Sequence, residues 1–543
     1  MCSLSPRTPA KPCSPVHRNP RTRRPTGATG SSTPFERLIE GIVSEAAPLL
    51  DTPCYTSQRD DREAQDLLSS ERRGRIRGAG KPDASARVRW LLAEKVSRTL
   101  SASPEYSEED RVTRISVNAG PADALAWLRG QRSHPRFYWS GREGGAENAA
   151  AGTADLQTGD GPEDVEVLGK RLRAAGDPEV RYYGGGRFDP ARGAEEGWEP
   201  FGAYRFALPR FELRVQTSGT TLSCNLVLPR DRERQEEILA QIEGMWIPSE
   251  GDDEPLPEPL DREDTPDRRG WENNVRYALS AFSEGRLGKV VLARRAGLGF
   301  AEDLDGISLL RKLRDATPGC FHFYVEPVPG TAFVGASPER LYKREGRFLT
   351  SEAVAGTRPR GASSDDDEIL RDELLGSEKD RAEHGFVRIG IGEALGPLCE
   401  DLEVEEDVSE MKLASRRHLV SRVRARLREG VMDAEVLGAL HPTPAVGGYP
   451  NRGALEDIRA LEPFDRGWWA GPVGWVGSDA AEFAVGIRSG LVRGAGSRCS
   501  RGGHRRGVQA RRGMGRDRAE DRRLHRGVRP WKPRALTASG RTW

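Results

Sequence analysis

Apolar positions are sparse over the first fifth of the chain. After Ser32-Thr33-Pro34, residues Phe35, Leu38, Ile39, Ile42, Val43 and Ala46 recur every three to four positions. That spacing predicts an amphipathic helix with a cap and a proline in its first turn. Residues 51–110 are charged and lack a period, so no firm element is predicted there. From Val112 the pattern becomes short alternating or aromatic runs: RISVNA, RFYWS, VEVLGKRL, VRYYGGGRF, AYRFALPRFELRVQ and TTLSCNLVL. Gly, Pro and Asp clusters separate these runs, as expected for antiparallel strands. GGAENAAAGTADLQTGDGPED is expected to be an exposed loop.

The acidic, proline-rich stretch 249–267 marks a subdomain boundary. Beyond it, Trp271, Val275, Ala278, Leu279 and Phe282 define a helix running into the strand KVVLARRAGLGF. Strands and helices then alternate irregularly to about residue 492, which favours a mixed α+β body over a regular βαβ array. Six segments are therefore expected. Residues 1–34 form a disordered basic tail, and 35–110 a charged extension with one helix. Residues 111–248 form a β-rich part, 249–267 a connector, 268–492 the mixed α+β region and 493–543 a second basic tail.

Charge sharpens that division. The chain has 543 residues and a formal charge of +1, but the balance is uneven. Residues 1–34 hold six basic residues and no acidic one; residues 493–543 hold sixteen Lys and Arg against three acidic residues. Residues 35–492 are left at −18, so the folded body repels phosphate and is not expected to bind nucleic acid. No apolar run reaches the roughly 18 residues of a membrane helix. Seven dispersed cysteines with no CxxC pair speak for a reducing, cytoplasmic setting and against a cysteine-built metal site.

Five segments combine residue types suited to chemistry. Lys289 opens an apolar strand in Gly288-Lys289-Val290-Val291-Leu292-Ala293-Arg294, where a lysine can serve as a base. Glu339 follows a Ser-Pro turn in FVGASPERL, between apolar residues that suit a general acid. In Glu352-Ala353-Val354-Ala355-Gly356-Thr357-Arg358, small residues let backbone N–H groups approach a carboxylate. Asp380, Glu383 and His384 fall within one helical turn, and two carboxylates so spaced can hold or orient Mg²⁺. HPTPAVGG and DRGWWAGPVGW set small residues beside aromatics, and Arg488 offers a fork suited to a carboxylate. Taken singly, each has an ordinary structural explanation: a solvated lysine, a turn glutamate, a glycine turn, a charged helix face or core packing.

Taken together and in this order, GKVVLAR, FVGASPERL, AVAGTRPR, SEKDRAEH, LHPTPAVGG and DRGWWAGPVGW resemble the chorismate-binding family, and within it the isochorismate synthases. The resemblance covers about Trp271 to Ser489 closely and Val112 to Pro248 more loosely. It implies two large, mainly antiparallel sheets packed together with helices outside and a site in the cleft between them. It also implies an isomerase that adds water at C2 of chorismate and expels the C4 hydroxyl. Lys289 would activate the water and Glu339 would protonate the leaving hydroxyl. Glu383 would bind Mg²⁺. Arg488, Gly356, Thr357, His418 and Ala445 would contact substrate, in a protein expected to be a monomer. Water-adding members carry this lysine, whereas ammonia-adding anthranilate synthases typically do not. Salicylate synthases share it and are the alternative enzyme.

The resemblance fails after Arg493. Its pattern continues with a Gly-Ala-Gly-Ile-Val strand and a helix bearing Glu-Trp-x-Glu, which supplies the remaining Mg²⁺ ligand. Here the chain reads GAGSRCSRGGHRRGVQARRGMGRDRAEDRRLHRG, so the closing strand and helix are expected to be missing. Met514-Gly515 must be encoded ATG-G, and reading one base later makes that junction TGG, tryptophan. Permitted codons for Gly513 to Arg518 then give Glu-Trp-Asp-Glu-Thr, and those for His504 to Gln509 give Ile-Val-Glu-Gly-Ser. The segment after about Arg493 is accordingly expected to be an offset-frame translation, leaving the 543-residue product impaired. The competing expectation is a non-catalytic scaffold whose basic tail binds nucleic acid or an acidic partner.

Overall fold

The computed structural model describes residues 84–104, 110–159, 168–169, 171–172, 177–252 and 254–494, and the backbone of two short strands, Cys499–Arg501 and Arg506–Gly507. The helix predicted over residues 35–46 and the basic N-terminal tail lie outside these residues.

Two large sheets dominate, and every strand pair in them is antiparallel. The eleven-stranded sheet begins at Arg111–Asn118 and passes through Gly219–Leu228, Phe211–Gln216, Ala146–Ala151 and Arg136–Ser140. It continues with Phe321–Val328, Thr331–Ser337, Ser489–Arg493, Cys499–Arg501 and Arg295–Phe300, and ends at Pro259–Thr265. The ten-stranded sheet likewise joins Arg340–Glu345, Phe348–Pro359 and Arg416–Leu427 to Arg181–Gly186 and Tyr204–Leu208. Both sheets thus draw strands from either side of 249–267, and that stretch itself contributes the edge strand Pro259–Thr265. The predicted boundary does not divide the fold.

Strand periodicity explains the layers. Along Phe321–Val328, Phe321, Phe323 and Val325 face one way and meet Phe137, Trp139 and Phe333 of the same sheet. Tyr183, Val473, Trp475 and Ala484 of the second sheet complete this aromatic layer, which packs the sheets face to face. Tyr324 belongs to the opposite face, which is covered by helices Ala84–Ala102, Gln235–Glu243 and Gly306–Ala316. Helices Arg268–Ser283, Glu378–Leu395, Asp433–Leu440 and Asn451–Leu461 cover the second sheet in the same way.

Three local expectations need correction. Helix Ala84–Ala102 lies where no element was predicted: Val88, Leu92, Val96 and Leu100 form its fully packed stripe, flanked by the partly buried Leu91 and Ala93, and charged neighbours hide it in the sequence. The predicted loop holds the strands Ala146–Ala151 and Asp155–Gly159, with Ala149, Ala150 and Ala151 fully buried. Packing on both faces of a central strand favours small residues there despite their weak strand preference. Within VEVLGKRL, predicted as a strand, the described residues Leu168-Gly169 and Arg171-Leu172 are helical.

At the C-terminal end the expectation of a lost closing strand is modified. Cys499–Arg501 pairs with Arg295–Phe300 and Ser489–Arg493, and Arg506–Gly507 pairs with Lys289–Leu292. The expected helix region lies outside the described residues.

Candidate functional site

Two places where the chain crosses from one sheet to the other lie side by side. Strand Thr331–Ser337 belongs to the first sheet and Arg340–Glu345 to the second, with Pro338 and Glu339 between them. Ala480–Val485 returns to the first sheet at Ser489–Arg493 through Gly486, Ile487 and Arg488. The Val485 amide donates to the Glu339 carbonyl at 3.0 Å, and the Ala336 amide to the Arg488 carbonyl at 3.0 Å. Ser337 Oγ donates to the Val485 carbonyl at 2.6 Å. This cross-bracing puts Glu339 and Arg488, both buried, on adjacent turns. Arg488 has φ +50°, a left-handed conformation uncommon outside glycine and held here by its surroundings.

Arg488 Nη2 donates to His418 Nε2 at 2.9 Å. The other imidazole nitrogen, Nδ1, lies 3.0 Å from Thr357 Oγ1 and 3.3 Å from the Gly356 carbonyl. Thr357 and His418 are cross-strand partners, and an irregularity in the pairing falls at Gly356. Gly356 takes φ +69°, and a Cβ there would meet Asp380 Cβ at 3.2 Å. The resemblance implies a carboxylate contact for Arg488 and the Gly356-Thr357 backbone and a pocket-lining place for His418, and these four residues lie together in the fold.

Helix Glu378–Leu395, capped by Ser377 Oγ, connects this group to the lysine. Lys289 is buried; its Nζ donates to the Pro444 carbonyl at 2.6 Å and lies 3.7 Å from Glu383 Oε1. Ala445, also buried, is the next residue after that acceptor. The lysine, Glu383 and Ala445 thus lie together, and helix Glu378–Leu395 links them to Gly356 through Asp380.

The Asp380–Glu383 pair read as a possible Mg²⁺ holder does not act as a pair. Asp380 is held by Arg358 at 2.7 Å, because strand Phe348–Pro359 packs its arginine against the first turn of the helix. His384 Nε2 donates to the Ala353 carbonyl at 3.1 Å, and burial lowers this imidazole to about 4, so it serves as a neutral brace. Among the described residues, no group of three or more His, Cys, Asp or Glu is placed to hold a metal ion. Glu383 beside Lys289 is a lone carboxylate, and the described residues by themselves do not fit a complete Mg²⁺ site.

The sequence reading missed the charged clamps around these groups. Arg466 Nη2 donates to the Val291 carbonyl at 2.7 Å and Nη1 to the Val446 carbonyl at 3.0 Å, tying the lysine strand to the Pro444–Val446 loop. Glu462 pairs with Arg466 and accepts from the Ala293 amide at 2.7 Å. Arg142 reaches Glu352 and the Pro338 carbonyl. Each lies in or beside a quoted motif, but nothing in its spacing reveals its partner.

Comparison with known proteins identifies the family. The profile of the family described as chorismate binding enzyme matches residues 97–503. Isochorismate synthase MenF of Bacillus subtilis is 35% identical over 328 residues, 58% of this chain and 67% of that protein. The salicylate biosynthesis isochorismate synthase of Pseudomonas aeruginosa is 45% identical over 231 residues, 42% of this chain and 47% of that protein. The solved structure of MenF, the menaquinone-specific isochorismate synthase from Escherichia coli, aligns with a TM-score of 0.65 at 27% identity. That alignment covers 77% of this chain and 94% of the solved one. With the profile matched over well more than half its length, this chain belongs to the chorismate-binding enzyme family.

Proposed function

We propose that the protein is an isochorismate synthase, an isomerase that converts chorismate to isochorismate. Water adds at C2 as the C4 hydroxyl leaves, so atoms balance without a redox partner. Lys289 removes a proton from the water, and Glu339 gives one to the departing hydroxyl from the other side. Arg488, oriented by His418, holds a substrate carboxylate, with Thr357 and the Gly356 backbone beside it. The observation carrying this reading is Lys289 itself: a buried lysine on the site strand, in a chain whose relatives are named isochorismate synthases.

Mg²⁺ is the ion this reading calls for, and it would supply positive charge at a substrate carboxylate. Glu383 would be the one described residue to hold it. The sequence alignment with MenF of Bacillus subtilis covers 58% of the chain, against 42% for that with the salicylate-biosynthesis enzyme. This breadth favours a menaquinone-type role. The three described cysteines that are free, Cys224, Cys320 and Cys399, suit a reducing compartment such as the cytoplasm. Among the described residues, no helix is long and apolar enough to cross a membrane.

The segment after Arg493 belongs to the same reading. With the permitted codons the offset frame reads Ile-Val-Glu-Gly across 504–507, a stretch that includes the strand Arg506–Gly507 beside the lysine strand. We infer that the intended C-terminus is encoded in that frame and that the 543-residue product turns over slowly. Incubating the purified chain with chorismate and Mg²⁺ and resolving the products by chromatography tests the assignment. Isochorismate that disappears in Glu339→Gln supports it. Release of pyruvate points to a salicylate synthase, and chorismate left unbound and unchanged contradicts the assignment.

A further inference from the structure

The turn that carries Glu339 is held by a residue from the other half of the chain. Pro338 and Glu339 bridge the two sheets, so the position of the acid depends on what fixes this crossing. The Glu339 amide has Ser337 Oγ at 3.2 Å as a partner, and the Glu339 carbonyl accepts from Val485. The Pro338 carbonyl accepts from Arg142 Nη1 at 2.8 Å. Arg142 lies in the turn between strands Arg136–Ser140 and Ala146–Ala151 of the first sheet. The same guanidinium grips Glu352, in the second sheet, at 2.7 Å and 2.5 Å. It therefore spans both sheets at the point where the chain crosses.

We propose that Arg142 is a positioning residue that sets the place of the Glu339 turn. The inference rests on the acid role given to Glu339. Its chemistry is specific to arginine. A planar fork satisfies both oxygens of one carboxylate and still has an N–H to aim at a carbonyl, whereas an ammonium presents its donors from a single point. The surroundings tune the grip. Arg340, beside the acid, contacts Glu352 at 3.5 Å, Glu143 at 2.6 Å and Glu482 at 3.4 Å, so two guanidiniums share three carboxylates. Both guanidiniums also lie 5.5 Å from the Phe321 ring. The Arg142 side chain is only 14% exposed, so water competes weakly for these bonds.

Amide hydrogen exchange on the full-length chain tests this, comparing Arg142→Ala, Arg142→Lys and Glu352→Gln with the unmodified protein. Arg142→Ala is expected to speed exchange across residues 337–341 by roughly tenfold while helix Gly306–Ala316 is unchanged. Glu352→Gln gives a smaller effect at the same place, and Arg142→Lys recovers part of the loss. In a chorismate assay Arg142→Ala lowers kcat with KM nearly constant, and Arg142→Lys restores part of kcat. Unchanged exchange at 337–341, an equal rise throughout the chain, or local loosening with kcat preserved would each overturn the proposal. If Arg142→Ala does not fold, Arg142→Lys and Glu352→Gln decide the matter. If the unmodified chain does not consume chorismate, the kinetic comparison is made in the chain carrying the offset-frame C-terminus; no turnover there ends the acid–base reading, and the exchange comparison still shows whether Arg142 holds the turn.

Discussion

Arg488 Nη2 lies 2.9 Å from His418 Nε2, and this single contact fixes the state of both side chains. A guanidinium can only donate, so Nε2 must hold a lone pair and the imidazole carries its proton on Nδ1. That proton is offered to the Gly356 carbonyl or Thr357 Oγ1. The arginine is thus aimed before substrate arrives. Arg488→Ala is expected to raise KM for chorismate by roughly tenfold to a hundredfold, the range for losing one hydrogen bond to a charged group. Steady-state kinetics check this; an unchanged KM places the substrate carboxylate elsewhere.

Gly356 needs its left-handed conformation as well as its small size. Gly356→Ala forces a Cβ to 3.2 Å from Asp380 and 3.3 Å from Leu374 at φ +69°. The expected cost is about 1–3 kcal/mol, read as a lower urea midpoint. A variant as stable as the parent would show that the irregularity at Gly356 relaxes freely.

Arg466 and Glu462 are almost fully buried, with side chains 2% and 0% exposed. Arg466→Met leaves Glu462 charged without its partner and should cost about 3–5 kcal/mol. The double change Arg466→Met with Glu462→Met should be milder than the single one, because no buried charge remains. Chemical denaturation of both variants distinguishes a clamp from a dispensable pair.

Acid should destabilise the protein through its buried histidines. Burial lowers His322, His384 and His441 from 6.5 to about 4. Between pH 6.5 and 4 the unfolded chain therefore binds more protons than the folded one, and stability present above pH 6.5 is lost as pH falls toward 4. Each group contributes at most about 3 kcal/mol. His441 Nε2 donates to the Arg187 and Phe188 carbonyls, so His441→Gln can keep a donor while removing the titration. Its stability should fall less steeply across that window in denaturation measured at several pH values.

How much of this was legible in the sequence depends on the kind of information. The aromatic run RFYWS and the small-residue run in GPVGW announced tightly packed strands, and Phe137, Trp139 and Trp475 do line the layer between the sheets. Lys289, Glu339 and Arg488 stood out because each is a charged residue among apolar ones, a local property. Pairings across long separations were not legible. Arg142 is 210 residues from Glu352, and Arg466 reaches back 175 residues to Val291. The helix over 84–102 was hidden because charged residues interrupt its narrow buried stripe. Asp380 and Glu383 looked like a pair on a helix, and only packing against Arg358 separates their roles.

The two parts of the proposed function, isochorismate formation and an offset-frame closing segment, meet in one experiment. Sequencing the coding DNA across Arg493 gives the offset reading. Chorismate turnover is then compared between the 543-residue chain and the chain carrying that reading, each with and without Mg²⁺. The account predicts Mg²⁺-dependent isochorismate formation by the restored chain at a rate at least about a hundredfold above the 543-residue chain, a loss of about 2.7 kcal/mol in transition-state stabilisation. Equal rates, or an offset frame that does not encode Glu-Trp-x-Glu, would contradict it.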